Sequence, residues 1–273
     1  MNDQVEKHDG AAAAASVRKV LGISAILVSL ATALAACGGG GSDGAAPASV
    51  ANNSVTKAAV TSTQIVPPNE TFEGKTYPLW EAAFWQWALA LPVNDPTLPH
   101  PFNDCNNRPI SAGQSGDVWF WSAPEATVVC NQSATIIPAG KAIFLTTLDI
   151  EASSLDAPPF FATTAAGQLA IAQQFANYIQ DLFVTIDGVP VANVTAYRTT
   201  TVQFTFTAPT PWIFNTVGGS GTSVGDGYFL MLQLPPGAHT IHYGGTFNIP
   251  KGVLGHKAVT IPMDVTLLVT MGG

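Results

Sequence analysis

From Thr199 to Met271 the chain is a succession of alternating runs cut by Pro and Gly, and this pattern restricts the fold more than any other feature. Thr199–Thr207 (TTTVQFTFT) places Val202, Phe204 and Phe206 on one side of an extended segment. Tyr228–Leu234, His239–Phe247 and Val259–Met271 follow as further strand regions. Upstream, Asp117–Ser122 (DVWFWS) puts Trp119 and Trp121 on one face and Val118 and Phe120 on the other. Apolar residues on both faces mark a central strand. Thr127–Cys130 and Lys141–Ile150 read as strands, and Asp187-Gly188 between two β-branched runs reads as a hairpin turn. With 25 Gly, 20 Pro and only 10% charged residues, a helical bundle is excluded.

Two segments switch to helical spacing. In YPLWEAAFWQWALALP, Trp80, Phe84, Trp87 and Leu91 fall on one stripe, with Pro78 suited to the first turn and Pro92 ending the helix. Trp85 lies roughly opposite Trp87, so the helix is either sandwiched between sheet and loops or lends one ring to a groove. In TTAAGQLAIAQQFANYIQDLF, Leu169, Ala172, Ala176, Ile179 and Phe183 recur at helical intervals. The expectation is a mainly β chain: an antiparallel β-sandwich elaborated by two helices (about 79–91 and 165–183) and long loops.

The N-terminus carries an address. Arg18 and Lys19 precede an apolar run, Val20 to Ala36, that ends in Leu34-Ala35-Ala36-Cys37. This ending resembles the bacterial lipobox, which implies that Cys37 is acylated and becomes the mature N-terminus. The competing reading is an uncleaved anchor, for which 17 residues is short. Residues 37–68, rich in Gly, Ala, Ser, Thr and Asn, read as a flexible linker next to the lipid. Residues 1–36 are then a lipoprotein signal peptide and 69–273 an exported β-sandwich-like domain. Gly38 rather than Asp after the cysteine implies, by the same resemblance, the outer membrane. The partner expected here is the lipid bilayer, through acylated Cys37.

Removal of residues 1–36 takes three acids and three bases, so the remaining 237 residues keep 15 of the 18 acids and 7 of the 10 bases. Seven bases over that length give no patch for a phosphate backbone, which excludes nucleic acid as partner. Cys105 and Cys130, in an exported domain, are expected to form a disulfide closing a loop worth about 3 kcal/mol.

YPLWEAAFWQWALALP, GQSGDVWFW, IPAGKAIF after Cys130, and DGYFLMLQLPPGAHTIHYGG resemble segments of uncharacterised secreted bacterial β-sandwich-like proteins, over roughly residues 78–245. The resemblance implies export and a sandwich; it brings no activity, cofactor or site residue with it.

Site candidates are few. No G-x-S-x-G elbow occurs, because Gly113-Gln114-Ser115-Gly116 is one residue short and precedes a strand. His239 and His242, three apart on a strand, point to opposite faces and cannot share an ion. The oxygen-rich loop around Asp95, His100 and Asp104 has the donors for a metal but no EF-hand spacing. Asp149 and Glu151, two apart, share a face, and Asp226 heads another strand; paired carboxylates suit acid–base work on a glycosidic bond. Trp85, Trp121 and Trp212 are candidates for an aromatic sugar platform. No cofactor is implied. The leading expectation is a membrane-anchored exported lipoprotein with a ligand-binding or envelope-structural β domain, its partner a glycan or an envelope protein. The alternative is a secreted hydrolase acting on glycans through paired carboxylates.

Overall fold

In the computed structural model, residues 61–273 are described. The expected signal peptide, the expected lipidation site Cys37 and most of the expected linker lie outside them. The chain runs β1 (Gln64–Ile65), α1 (Tyr77–Ala90), β2 (Val118–Trp121), β3 (Thr127–Ile137), β4 (Ala142–Ser153), α2 (Ala165–Ala176), β5 (Ile179–Ile186) and β6 (Val189–Pro190). A 3-10 turn (Val194–Tyr197) leads to β7 (Arg198–Thr200), β8 (Phe204–Ala208), β9 (Gly219–Gln233), β10 (Gly237–Ile249) and β11 (Val259–Met271).

Two packed sheets and two helices make an elaborated β-sandwich. In the first sheet β9 pairs with β4 along one edge and with β8, β7 and β1 in turn along the other, while β2 flanks β4. The second has the order β3-β11-β10-β5-β6. Pairing is mixed rather than purely antiparallel, because β2 runs parallel to β4 and β3 parallel to β11. The Trp121 indole N–H donates to the Tyr243 hydroxyl at 2.8 Å and so ties the first sheet to the second.

Four sequence expectations change. β2, whose two apolar faces suggested a central strand, is an edge strand paired only with β4; its faces are apolar because α1 packs on Phe120 and the second sheet on Trp121. The second helix stops at Ala176 instead of running to residue 183, and Ile179–Ile186 joins the second sheet; only three of the eight residues of β5 are buried, in step with a partly covered strand. Asn177 closes the helix with its N–H on the Gln173 carbonyl. The alternating run from Thr199 is broken into β7 and β8, and Val202 is exposed while Phe204 and Phe206 are buried. Thr127 and Ile137 turn out to bound one continuous strand.

Helix α1 is buried on most of its circumference, as its near-continuous apolar sequence requires. Phe84 packs edge-on against Phe229 of β9, with ring centres 5.6 Å apart, and Phe229 stacks on Phe144 of β4. Tyr77 links α1 to the sheet, its hydroxyl donating to the Val66 carbonyl and accepting from the Met231 N–H. The helix therefore lies across one face of the first sheet, and the second sheet covers the other.

The Cys105–Cys130 disulfide is formed, with Cα atoms 5.4 Å apart. It fixes the long loop between α1 and β2 onto β3. Gln132 beside it donates to the Cys105 and Arg108 carbonyls and accepts from the Ile110 N–H, so the loop's buried backbone groups are satisfied.

Candidate functional site

The face of the first sheet beneath α1 is set by a β-bulge. Phe144 and Thr146 of β4 lie opposite Met231 and Phe229 of β9; the register then shifts between Thr146 and Leu148. Beyond the shift, Asp149 lies opposite Gly227 and Glu151 opposite Gly225. Because β9 continues without interruption, the extra residue turns Asp149 and Glu151 to the α1 side; without it they would face the second sheet. The two carboxylates thus share a face, as their spacing predicts.

Gly225 makes room for what lies above, and Gly227 for Asp149 across the strand pair. A methyl group on Gly225 would come within 2.6 Å of both Glu81 Oε1 and Trp85 Nε1 of α1. Helix and sheet can approach this closely only because β9 lacks side chains there.

Between them is a chamber of about 30 Å³, lined by Trp85, Phe102 and Phe214 on one side and by Glu125, Thr146, Thr147, Asp149 and Glu151 on the other. A water requires roughly 10–15 Å³, so the space suits a small polar head group and not a sugar ring. The rings form a triangle with centres 6.1 Å (Trp85–Phe102), 6.5 Å (Trp85–Phe214) and 6.1 Å (Phe102–Phe214) apart. No basic side chain lines the chamber. Glu125 Oε2, Asp149 Oδ2, the Trp85 indole N–H and the hydroxyls of Thr146 and Thr147 have no hydrogen-bond partner within the protein. Asp149 and Glu125 are half-buried as residues, which places them toward the solvent side.

Electrostatics follow from this geometry. Burial pushes the carboxyls of Glu81, Glu125, Asp149 and Glu151 well above the usual carboxylate range. The charge of Asp149 adds to the effect on Glu81, Glu125 and Glu151. Burial raises the Asp156 carboxyl to about 6, against the opposing effects of neighbouring Glu151 and of the bond from the Ser153 hydroxyl. Ser223 of β9 donates to Glu151 Oε2. Unlike charges isolated from any counter-ion, these groups lower the cost of burial by holding protons.

The other residues singled out by sequence fall elsewhere. Asp226 sits between Gly225 and Gly227 and therefore faces the opposite side, where Arg198 grips both its oxygens at 2.7 and 3.0 Å. Trp85, Trp121 and Trp212 are all buried, so none offers an exposed platform; bulky rings close the core and loop ends instead. Trp212 donates its N–H to the Val217 carbonyl. Asp95 accepts from Thr97, and Asp104 from Asn106 and Asn107, each closing its own turn. His100 is buried between the Ala88 carbonyl and the Phe102 N–H, and burial lowers its pKa to about 4, so the ring is neutral. Asp95, His100 and Asp104 do not assemble, and among the described residues no three His, Cys, Asp or Glu converge as metal ligands. His239 and His242 meet separate acids, Asp187 and Asp264.

Glu81 and Glu125 escape the sequence reading. The first had a signal: it is the one charged residue in a helix apolar nearly all round, so it had to be buried. Glu125, in the SAPEAT turn, had none.

Comparison of the chain with protein-family models, curated proteins and solved structures finds no match.

Proposed function

We propose that the protein is an exported, lipid-anchored binding protein whose β domain receives the ammonium head of a small organic amine in the acidic chamber. One observation carries this reading: unpartnered oxygens of Asp149 and Glu125 face the same small space as three aromatic rings, with no base among the lining residues. An ammonium group has three N–H donors and a positive charge. It fits two carboxylates plus a threonine hydroxyl, and ring faces add roughly 0.5–2 kcal/mol of cation–π attraction. The apolar remainder of the lining, Leu148, Ile150 and Met263, suits an alkyl stem. The small volume supports binding of a head group over glycan hydrolysis by Asp149 and Glu151.

Export and anchoring rest on the lipobox-like Leu34-Ala35-Ala36-Cys37 and on the Cys105–Cys130 disulfide, which suits an oxidising compartment. The test is calorimetric titration of the full chain with methylammonium, ethanolammonium and putrescine at pH 7.5, in two buffers of different ionisation enthalpy. The expected result is binding with proton release, lost in Asp149→Asn and in Glu125→Gln. Absence of heat and of thermal stabilisation for all three amines overturns the reading.

A further inference from the structure

A second concavity lies on the other side of α1, against β2 and the loop preceding it. It has a volume of about 490 Å³ and is lined by Trp80, Trp87 and Phe120, with Lys75, Gln86, Ser115 and Asp117 around them. Small-molecule sites commonly occupy roughly 300–1,000 Å³. Trp87 and Phe120 are half-exposed, and their ring centres stand 5.6 Å apart at an interplanar angle of 38°. Together they make a shallow aromatic floor.

The floor is held in place. The Trp87 indole N–H donates to the Gly113 carbonyl at 3.0 Å, and that of Trp80 to the Phe72 carbonyl at 2.9 Å. Phe120 is wedged against Phe84 and Phe144 of the core. Gln114 reaches from the loop to both the N–H and the carbonyl of Phe120. With both indole nitrogens bonded to backbone, what the rings present is their faces, at little further ordering cost on binding.

Around the floor stand an ammonium, an amide, a hydroxyl and a carboxylate. The Lys75 ammonium lies 4.3 Å over the Trp80 ring, and Asp117 is bridged to Lys141. Both signs of charge are therefore represented and neither dominates. That combination suits a neutral ligand with C–H groups on one face and hydroxyls along its edge. A fatty or purely aromatic ligand would leave the polar rim unused, and an anion would meet Asp117.

We propose that this groove binds a saccharide, one pyranose ring stacking on Trp87 and Phe120 with its hydroxyls directed to Gln86, Ser115 and Lys75. The site is separate from the acidic chamber and does not depend on it.

The test is titration of the full chain with chitotetraose, cellotetraose and maltotetraose, followed by calorimetry. At least one is expected to bind. Trp87→Ala is expected to weaken it by about tenfold or more, as removal of a central aromatic contact does. Because Trp87 also touches Phe84, a second variant guards against misfolding: Ser115→Trp, at an exposed loop position, fills the groove without touching the core and should also weaken binding. Asp149→Asn should bind the sugar like the parent, which distinguishes failure here from failure at the chamber. No binding of any of the three, or equal binding by the parent and by Ser115→Trp, overturns the proposal.

Discussion

Asp149 stands directly opposite Gly227 in the β4–β9 pair, and a methyl group at Gly227 would lie 2.4 Å from the Asp149 Cβ. Its neighbours there include backbone, the Asp149 Cα at 2.5 Å and the Leu148 carbonyl oxygen at 2.8 Å, so nothing can swing aside. Gly227→Ala should therefore force the strands apart, costing about 1–3 kcal/mol of stability, a typical overpacking penalty. It should also close the chamber to amines. Urea unfolding of the variant checks the first effect and calorimetry the second; parent-like stability would show that the strand pair is looser than its register implies.

The acids around the chamber make stability depend on pH in an unusual direction. A carboxyl whose folded pKa is raised favours the folded state fully below its unfolded pKa of about 4 and loses that contribution as pH rises through the folded value. For Asp156 the loss is complete somewhat above pH 6, and Glu81, Glu125, Asp149 and Glu151, all raised well above their usual range, lose their contributions in the same direction. Two acids and one histidine act oppositely. Burial lowers the His100 pKa to about 4, so its contribution is complete above about pH 6.5 and lost as pH falls toward 4, which offsets part of the fall between those values. Bonds from Thr97 lower the Asp95 carboxyl, and at Asp104 burial is outweighed by bonds from Asn107 and Asn106; their stabilisation is lost as pH falls below about 4. Urea midpoints should accordingly peak near pH 5 and fall toward pH 8, and saturating ethanolammonium should recover part of the loss at pH 8. Glu151→Gln should flatten the fall. A midpoint that climbs from pH 5 to pH 8 without ligand would contradict the arrangement of acids.

Arg198 reaches across from β7 to Asp226, bonding the carboxylate twice and the Asn177 side chain with its remaining nitrogen. Thr200 adds a third bond to Asp226, whose side chain is 1% exposed. Arg198→Met strands this carboxylate with one partner, a loss of about 3 kcal/mol or more for a buried pair broken on one side. Arg198→Met combined with Asp226→Leu should recover part of that loss. Chemical denaturation of the single and double variants measures both, and a single variant as stable as the parent would refute the account.

How far these features can be read from sequence depends on what encodes them. Period-two runs and Pro–Gly turns report strands directly, and the spacing of Asp149 and Glu151 places them on one face. Which face was hidden, because it depends on a bulge at Thr146–Leu148 that no residue type announces. Counting forward from Phe144, an unbroken strand would have aimed both acids at the second sheet. Helix periodicity continued through Ile179 and Phe183 although the helix ended at Ala176; there sheet pairing with β10 overrode a local pattern. The tryptophans misled for a related reason. Trp85, Trp121 and Trp212 look supernumerary in one dimension, yet a helix laid flat on a sheet under a long loop needs large rings on several sides. Among the tryptophans and phenylalanines, Trp87, on the stripe expected to be buried, and Phe120 are half-exposed side by side.

The disulfide supports the chamber from a distance. Phe102, one of the three rings, lies in the loop that Cys105 ties to Cys130 of β3, three residues along the chain. Cross-linking positions 25 apart restricts the unfolded chain by about 3 kcal/mol on the loop-entropy account. Cys105→Ser with Cys130→Ser should lower stability by about that amount, and it should weaken amine binding further than the destabilisation of a remote site would, because the ring triangle loses its tether. Sugar binding at Trp87 and Phe120 uses the far end of the same loop, which the Trp87 N–H to Gly113 and the Gln114 bonds to Phe120 hold directly to α1 and β2, and should change less. Calorimetry of the double variant with ethanolammonium, under conditions where circular dichroism shows it fully folded, separates the effects. Undiminished affinity there would mean that Gln132 and the buried His100 hold the loop without the covalent link.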